Sequence, residues 1–480
     1  MEIKYRDVVL RDMMERDIDD EIRWNTVETE WALWDAPWEM EVELPKFEPE
    51  AFRQEAMQEL GRPKDSLRWG FELDAFGVHI GSVNSYLIDE NWDWIRLKDV
   101  KPGQKTYRTL GIEINDSRYW GKGLGKQALC AFIRYYLDQG CTELCIQTWS
   151  GNVRMIKCAE KLGFVECDRE IGNRAVRGGI YDGLTFQLDL AAFRRYLLEQ
   201  NLQELQLSPE ISKAILSAYL RRPQFYEREA LQSYADRPFP ICSRTPLERL
   251  AIWCCYLTQI RQSYQNMEIP YPVVRDTLGD ISLRAGLYAK KHGKPGLSKE
   301  DVLWLRHIHS CELFRLGSLQ YQLFHMVYLD KEGCGEEYMT FSPAQKRKLP
   351  QGAPVVNIHV PEGADICPEA VEESLKMAKA FLEHRFPNFC RGGFVCYSWL
   401  LYPGLKELLP EGSNILSFAS RFEIIGQVSD PYGSDSVRRI YGKRCARKAD
   451  YPQETALQRN ALGSFSKLGM ACGILDVTAV

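Results

Sequence analysis

The segment Arg118-Tyr119-Trp120-Gly121-Lys122-Gly123-Leu124-Gly125-Lys126 has the composition of a phosphate-binding turn. Its glycines allow the backbone to come close to an anion. A strand-like run that ends at Asn115 precedes it, and a helix-like run that ends near Gly140 follows it. The amides and the dipole of a helix N-terminus favour negative charge at such a junction. The segment therefore predicts a ligand that carries phosphate.

A second motif follows the predicted helix, running from Asn152 to Phe164 and ending in Glu-Lys-Leu-Gly-Phe. With both motifs in this order, residues 1–195 resemble the GNAT superfamily of N-acetyltransferases, and within it the RimJ/RimL-like branch. The family's phosphate loop has the form Gln/Arg-x-x-Gly-x-Gly/Ala. Trp120 stands at its Gln/Arg position, as is common in that branch, and an overlapping register from Arg118 satisfies the literal pattern.

The resemblance implies that the first domain binds acetyl-coenzyme A. The amides of residues 122–126 would hold the pyrophosphate, the preceding strand would bind the pantetheine arm, and Asn152 would bond that arm or the adjacent backbone. The residues assigned to the cofactor are Ile112, Ile114, Trp120, Lys122, Gly123, Leu124, Gly125, Lys126 and Asn152. No metal is expected. The alternative, a glycine cluster with only a packing role, stays open at this point.

Acyl transfer from a thioester to a primary amine requires a base, an oxyanion donor and an acid for the leaving thiolate. Glu113, in the strand before the turn, is the first candidate base, and Glu72 is the second; an ordinary solvent-facing glutamate is the alternative for Glu113. The family's tyrosine acid would fall on Ala159 here. Cys158 beside it favours a packing role, so the acid is unassigned, with solvent or Ser150 as options.

The N-terminal region supplies aromatic and acidic residues where the resemblance places the acceptor wall. Such residues suit a cationic amine, a small molecule or a protein N-terminus. The alternative is a core helix that uses tryptophan for bulk. The residues concerned are Trp24, Trp31, Trp34, Trp38, Glu28, Glu30, Asp35 and Glu39.

The alternation of strand and helix patterns predicts an α/β (α+β) protein with three regions. Residues 1–195 are expected to form a mixed-sheet GNAT domain, residues 196–314 a mostly helical region, and residues 315–480 a second, diverged GNAT-like α/β domain. Within the first domain, Asp17–Trp34 is predicted to be helical, Gly183–Leu190 to close the sheet, and Asp189–Leu207 to form a helical linker.

Residues 208–480 resemble an uncharacterised acyltransferase-type region, through Ser398-Trp399-Leu400-Leu401, Ser413-Asn414-Ile415 and the run Phe418–Phe422. The order of its α/β elements is similar to that of the first domain, which favours a diverged duplication of fold. Its equivalent of the phosphate turn, His359–Pro368, has one glycine and two acidic residues, which disfavour a pyrophosphate. His359 is a candidate base or acceptor ligand, with a structural role as the alternative.

The bulk composition limits the classes of partner. A chain of 480 residues exceeds one ordinary core, and a formal net charge of −5 gives no reason to expect nucleic-acid or membrane-surface binding. There is no apolar run of about 18 residues and no signal-peptide pattern. The 15 cysteines therefore indicate reduced thiols in a cytoplasmic protein. The sequence leaves open whether the chain associates with a second copy of itself.

The sequence thus favours an acetyl-coenzyme A-dependent N-acetyltransferase fused to a second GNAT-like domain. One alternative is a non-enzymatic ligand sensor or scaffold with degenerate acyltransferase domains, suggested by the missing tyrosine and the acidic second loop. Another gives the main chemistry to the C-terminal half, with a longer acyl donor.

Overall fold

The computed structural model describes residues 1–235, 239–429, 436–442 and 444–475. The chain divides into two compact units. Unit 1 comprises residues 1–204, 216–227 and 254–266, and unit 2 comprises residues 205–215, 228–253 and 267–480. Both units take residues from the predicted helical region, and the division into three domains stays a prediction.

The sheet of unit 1 has nine strands among the described residues. They are β1 (Glu2–Tyr5), β2 (Val8–Arg11), β3 (Gly70–Ala75), β4 (Val78–Ile88), β5 (Trp94–Ile95), β6 (Tyr107–Ile114), β7 (Leu144–Trp149), β8 (Phe164–Val176) and β9 (Gly179–Leu188). Their order is β1-β2-β3-β4-β6-β7-β9-β8, with β5 paired to β4. The sheet is mixed, as predicted, because β6 and β7 are parallel while their neighbours are antiparallel.

Helices cover this sheet and continue through the middle of the chain, where the mostly helical region predicted from sequence is confirmed. They are α1 (Asp17–Thr26), α2 (Pro37–Glu43), α3 (Pro49–Leu60), α4 (Leu124–Asp138), α5 (Val153–Leu162), α6 (Leu190–Glu204), α7 (Pro209–Arg221), α8 (Pro223–Gln232), α9 (Pro246–Asn266), α10 (Tyr271–His292) and α11 (Lys299–His309). In the described part of the chain, no helix combines the length and apolarity needed to cross a bilayer.

Two local predictions for unit 1 are wrong. The single helix expected over Asp17–Trp34 is broken, since α1 ends at Thr26 and a 3-10 helix covers Thr29–Leu33. The Trp31 indole donates a 2.9 Å hydrogen bond to the Trp24 carbonyl, which folds the chain back at the break. The strand expected to close the sheet, β9, lies inside it, because β8 pairs with its outer edge.

The predicted linker is a helix, α6, which packs within unit 1. Phe193 is buried in the core beside the apolar side chains of α4. Asn201 is also buried and donates 2.9 and 3.0 Å hydrogen bonds to the Cys254 carbonyl and the Thr258 hydroxyl. The charged surface of this segment therefore concealed an inward face.

Unit 2 contains a sheet of six strands among the described residues, in the order β10-β11-β12-β13-β15-β14. The strands are β10 (Leu313–Leu316), β11 (Leu319–His325), β12 (Pro354–His359), β13 (Phe394–Ser398), β14 (Glu423–Ser429) and β15 (Gly469–Leu475). The helices are α12 (Lys331–Cys334), α13 (Pro343–Lys348), α14 (Pro368–Arg385), α15 (Pro387–Arg391), α16 (Asn414–Ala419), α17 (Ser436–Tyr441) and α18 (Ala456–Ala461). The predicted second α/β domain is thereby confirmed.

Among the described strands, each sheet has one parallel pair, and the two strands of that pair separate beyond a short paired stretch. Strands β6 and β7 pair only at Arg108–Leu144 and Thr109–Cys145, although β6 continues to Ile114. Strands β12 and β13 pair only at Val356–Phe394 and Asn357–Val395. The strands β3-β4-β6-β7-β9-β8 of the first sheet have the same order and relative directions as β10-β11-β12-β13-β15-β14 of the second. This agrees with the predicted duplication of fold.

A buried ion network joins β2, β3 and α1. The Arg11 guanidinium is nearly inaccessible and donates to Asp17 at 2.5 and 2.8 Å and to Asp74 at 2.6 and 2.7 Å. Burial alone would raise the pKa of Asp17, but hydrogen bonds from Arg11 and from the Met14 amide hold it below its ordinary value. The ionised Asp17 therefore stabilises the fold at pH values above the ordinary carboxyl pKa. This stabilisation is lost as the pH falls through the lower pKa that Asp17 has in the folded protein.

We expect Arg11→Met to lower the free energy of unfolding by about 3–5 kcal/mol, because it removes the buried cation that donates hydrogen bonds to both carboxylates. Urea unfolding at neutral pH measures the loss. Arg53→Met, which removes an exposed ion pair with Asp19, is the control and should leave stability within error. Equal losses in the two variants would contradict the assignment.

Candidate active site

A cavity of about 520 Å³ opens in unit 1 beside the unpaired end of β6. Residues 111–114 of β6 form one wall, and Gln147 and Thr148 of β7 form the wall across from it. Beyond Thr109, β7 does not pair with β6, so the backbone groups on that side of β6 are open to a ligand. The divergence of the two strands thus produces both the space and the hydrogen-bonding edge.

The predicted phosphate turn borders this cavity. Gly121 and Gly123 have φ angles of +74° and +79°, in the left-handed region that favours glycine, and α4 begins at the next residue, Leu124. Gly125 lies over β6, where an added Cβ would touch the side chains of Ile112 and Ile114 at 3.7–3.8 Å. The turn therefore has the strand–turn–helix context that an anion site at a helix N-terminus requires.

Most of the residues assigned to the cofactor line the cavity: Ile112, Ile114, Trp120, Gly123, Gly125, Lys126 and Asn152. Two side chains point elsewhere. Leu124 is buried in the core under α4, and the Lys122 ammonium lies 4.9 Å from the ring of Tyr119 in an exposed position. For these two residues only the backbone remains as a predicted contact.

Four cationic side chains lie on the walls formed by α4 and α5: Lys126, Arg154, Lys157 and Lys161. Within the described residues none of them makes a salt bridge. The Arg154 guanidinium stacks on the rings of Trp34 and Trp120, at 4.3 and 4.6 Å. Sequence reasoning missed the three cations of α5, although their spacing places them along one side of a helix.

Two carboxylates line the opposite part of the cavity wall, Glu113 on β6 and Asp35 after the 3-10 helix. Glu113 accepts a 3.3 Å hydrogen bond from the Asn84 amide, and neither carboxylate has a cationic partner among the described residues. Burial and the charges of Asp35, Glu21 and Glu72 raise the pKa of Glu113 to about 8. Burial and Glu39 raise the pKa of Asp35 to about 6.

Three residues of the predicted acceptor wall, Trp31, Trp34 and Asp35, line the cavity, and their contact with an acceptor stays a prediction. The Trp34 carbonyl accepts 2.9 Å hydrogen bonds from the Trp149 indole and from the Asn152 amide. Asn152 also caps α5, accepting a 3.1 Å hydrogen bond from the Met155 amide. Its side chain therefore holds the wall and the helix together.

The other residues of the predicted wall do not line the cavity. Trp24 is fully buried, with its ring 4.8 Å from that of His79. Trp38 packs edge-on against Trp149 and donates to Glu39 at 3.2 Å, and Glu28 pairs with Arg23. For Trp24 the alternative reading, core bulk, is the one that the structure supports.

Glu72, the second candidate base, lies on His79 rather than on the cavity wall. Its carboxylate is 3.0 Å from His79 Nε2, while Asp20 lies 3.1 Å from Nδ1. Burial lowers the pKa of His79, but the hydrogen bond and charge of Glu72 and the charge of Asp17 raise it overall. The charge of Glu72 thus contributes to the raised pKa of Glu113. Direct catalysis by Glu72 stays a prediction.

The same cluster bears on the expectation that the protein holds no metal. Asp17, Asp20 and His79, and likewise Glu21, Glu72 and His79, bring potential ligand atoms within 4.8 Å of one another. Both ring nitrogens of His79 already face carboxylates, so a protonated imidazole satisfies the cluster. The expectation of no metal stays a prediction.

No general acid is evident at the position of the family's tyrosine. Ala159 is completely buried, and Cys158 beside it lines the cavity. Burial raises the pKa of the Cys158 thiol to about 12. Ser150, the other option, accepts a 3.0 Å hydrogen bond from the Asp182 amide. Neither side chain is therefore marked out as an acid, and the identity of the general acid stays a prediction.

Two segments match known families. Residues 7–165 match the family described as acetyltransferase (GNAT) domain, and residues 313–475 match the family described as GNAT-like C-terminal domain. The second match confirms the resemblance that the sequence indicated for the C-terminal half. No functionally curated protein is significantly similar to the chain.

Solved structures show more distant likenesses. An acyltransferase in complex with decanoyl-CoA and teicoplanin is 20% identical, covering 58% of this chain and 87% of its own, with a TM-score of 0.45. RimL, a ribosomal L7/L12 alpha-N-protein acetyltransferase in complex with coenzyme A, is 14% identical, covering 39% and 97%, with a TM-score of 0.29. A GNAT-family acetyltransferase from Bacillus anthracis is 13% identical, covering 39% and 98%, with a TM-score of 0.29.

We expect Glu113 to titrate near pH 8, which carboxyl ¹³C NMR of labelled glutamate measures, with Glu113→Gln identifying the signal. Asp35→Asn removes a negative charge that opposes ionisation, so it should lower the pKa of Glu113. Glu30→Gln changes an exposed carboxylate outside the cavity and should leave the midpoint unchanged. An ordinary pKa, or equal effects of the two variants, would refute this description.

Proposed function

Since residues 7–165 form a GNAT acetyltransferase domain and residues 313–475 a GNAT-like C-terminal domain, we propose that unit 1 transfers an acetyl group from acetyl-coenzyme A to a primary amine. The acceptor is a small molecule or a protein N-terminus. One observation carries the proposal: a single cavity combines an anion-binding turn and cationic side chains with carboxylates that have no cationic partner in the described chain.

The donor occupies the side of the cavity formed by α4, α5 and β6. Amides of the first turn of α4 and the Lys126 ammonium bind the diphosphate, because they supply donors and positive charge at one point. Arg154, Lys157 and Lys161 add positive charge beside it. The open edge of β6 binds the two amide groups of the pantetheine arm and brings the thioester next to Glu113.

The acceptor enters beside Asp35 and Glu113. Asp35, whose pKa is about 6, is ionised at neutral pH and attracts an ammonium group. Glu113 removes a proton from this group to give the neutral amine. A carboxylate with a pKa of about 8 is a stronger base than an ordinary glutamate, so the transfer is less unfavourable. Trp31 and Trp34 limit the space beside the reacting groups and shield them from water.

The amine nitrogen then attacks the thioester carbonyl, and the carbon–sulfur bond breaks. The carbonyl oxygen is stabilised by backbone amides of the open edge of β6. The coenzyme A thiolate leaves and takes a proton from solvent. The second proton of the attacking nitrogen passes to water, which leaves an amide and free coenzyme A as products.

We expect Gly123→Glu to weaken coenzyme A binding by at least about 100-fold, or roughly 3 kcal/mol, because it places bulk and negative charge at the diphosphate. Isothermal titration calorimetry measures the affinity. Gly140→Glu is a matched control, since Gly140 follows the other end of α4 with the same φ of +79° and no atom within 4 Å of an added Cβ. Loss of binding in both variants, or in neither, would contradict the proposed donor site.

Glu113→Gln should lower kcat by about 10²–10⁴-fold with the affinity for coenzyme A unchanged, because it removes the base and keeps the shape of the side chain. Thiol release from acetyl-coenzyme A with a panel of amines measures turnover. The wild-type rate should rise with pH through about 8, as Glu113 loses its proton. Glu160→Gln, an exposed change on α5, is the control.

The same assay separates the alternatives. Coenzyme A binding without thiol release from any amine would favour a ligand sensor or scaffold. Faster release from decanoyl-coenzyme A than from acetyl-coenzyme A, persisting in Gly123→Glu, would move the chemistry to the C-terminal half.

A further inference from the structure

The second sheet carries polar side chains that are almost completely buried and lack hydrogen-bond partners. Gln320 and Asn357 are 1% and 6% exposed. Within the described residues, nothing pairs with Gln320 Nε2 or with Asn357 Oδ1. Buried polar atoms in native proteins nearly always have a partner, and leaving one without costs free energy. Two such atoms in one sheet indicate a ligand or ordered water.

The strand register places these two residues on the same face. Gln320 lies opposite His359, and Gln322 lies opposite Asn357, in the antiparallel pair of β11 and β12. Directly opposite residues share a face, and so do residues two apart along a strand. All four side chains therefore project to one side of the sheet. On the other side, Tyr321 meets Ser374 of α14 at 2.9 Å.

A chain of hydrogen bonds fixes the orientation of His359 on this face. His359 Nε2 lies 2.9 Å from Gln322 Oε1, and Gln322 Nε2 lies 3.0 Å from His307 Nδ1. With the Gln322 amide in this orientation, its oxygen accepts and its nitrogen donates, so His359 carries its proton on Nε2. Its Nδ1 is thus an acceptor, and no described residue donates to it. The Trp304 ring packs edge-on against the imidazole at 4.6 Å.

Among the described residues, the carboxylates near this face already have partners: Asp280 pairs with Arg284, and Glu312 lies 3.4 Å from His307 Nδ1. Burial, together with the nearby His307, Arg284 and Arg439, lowers the pKa of His359 to about 3, so the ring is neutral. Burial also lowers the pKa of His307. Oδ2 of Asp280 accepts from Arg284 at 2.7 Å and from the Trp304 indole at 2.9 Å, while its Oδ1 has no partner among the described residues. A cationic amine, the acceptor proposed for unit 1, does not suit these surroundings.

The position of this face within its sheet matches that of the cavity within the first sheet. Asn357 and Thr109 each form the second pair of the parallel strands. Two residues further on, His359 and Gly111 occupy equivalent places, on the face that Glu113 shares in the first sheet. The chain thus carries a charged site and an uncharged polar face at equivalent places.

We propose that the face formed by Gln320, Gln322, Asn357 and His359 binds an uncharged ligand through its hydroxyl or carboxamide groups. Such groups supply donors to Asn357 Oδ1 and His359 Nδ1 and an acceptor to Gln320 Nε2. The inference does not depend on the activity of unit 1.

The loop after β12 shows which form of ligand is excluded. Asp365 accepts a 2.9 Å hydrogen bond from the Cys367 amide at the start of α14, and its carboxylate is fixed at this helix N-terminus. The place that a diphosphate would take is already negative. The probes are therefore D-pantetheine, which is the amide-bearing arm without phosphate, and D-glucose, which carries hydroxyl groups alone.

Histidine-selective ¹⁵N NMR of the full-length protein tests the proposal, since the chain has only seven histidines. We expect His359 in the Nε2–H form at neutral pH, and a shift of its Nδ1 resonance with one of the probes at up to about 10 mM, which detects a millimolar complex. His359→Gln identifies the signal. A response to pantetheine alone assigns the amide-bearing arm, and a response to glucose assigns a polyol.

Asn357→Leu and Gln320→Met should each abolish the shift. If one of these variants does not fold, the other alone tests the proposal. Gln427→Leu, an exposed change on β14, should preserve it, and so should Gly123→Glu, which blocks only the donor site of unit 1. The proposal is overturned if neither probe moves the His359 signal, if both buried-residue variants keep the response, or if a crystal structure with the probe shows only ordered water on these atoms.

Discussion

Strands β6 and β7 are held in parallel by two residue pairs, and the remaining length of β6 has no partner on that side. This short pairing is the constraint on which unit 1 depends. It opens the cavity, exposes the backbone edge of β6, and places Glu113 on a wall rather than inside a continuous sheet. Longer pairing would satisfy more backbone hydrogen bonds and would remove the cavity, so the short pairing leaves backbone groups of β6 open.

The charges around the cavity differ in how they are compensated. The buried carboxylates of Asp17 and Asp74 share the Arg11 guanidinium, and Arg16 lies within 4 Å of both, which makes them structural. Glu113 and Asp35 have no such partner among the described residues, and their raised pKa values record the cost of ionising them. Raised carboxyl pKa values lower the stability of the fold as the pH increases, which is a common property of groups kept for chemistry.

Features encoded by neighbouring residues could be predicted from the sequence, and features that require distant residues to meet could not. The glycine turn, α4 and the position of Glu113 on a strand follow from local patterns. Asn152, which the sequence assigns to the cofactor, lines the cavity, but its bond to the Trp34 carbonyl joins residues 118 positions apart. The break after Thr26, the inward face of α6 and the pairing of Glu72 with His79 likewise depend on tertiary contacts. Periodicity carries no information about such partners.

The Trp34 carbonyl accepts hydrogen bonds from Asn152 and Trp149. Through Asn152 it connects the cavity wall to helix α5. Arg154 of α5 stacks on Trp34, while the cap of α5 fixes the backbone of the same residue. The donor-side cations and the acceptor wall therefore cannot move separately. Under the proposed function, a donor that shifts α5 would change the affinity for the acceptor, and thermodynamic linkage would then require the acceptor to change the affinity for the donor by the same factor. The Asn152 side chain is the hydrogen-bonded joint through which such a coupling would pass.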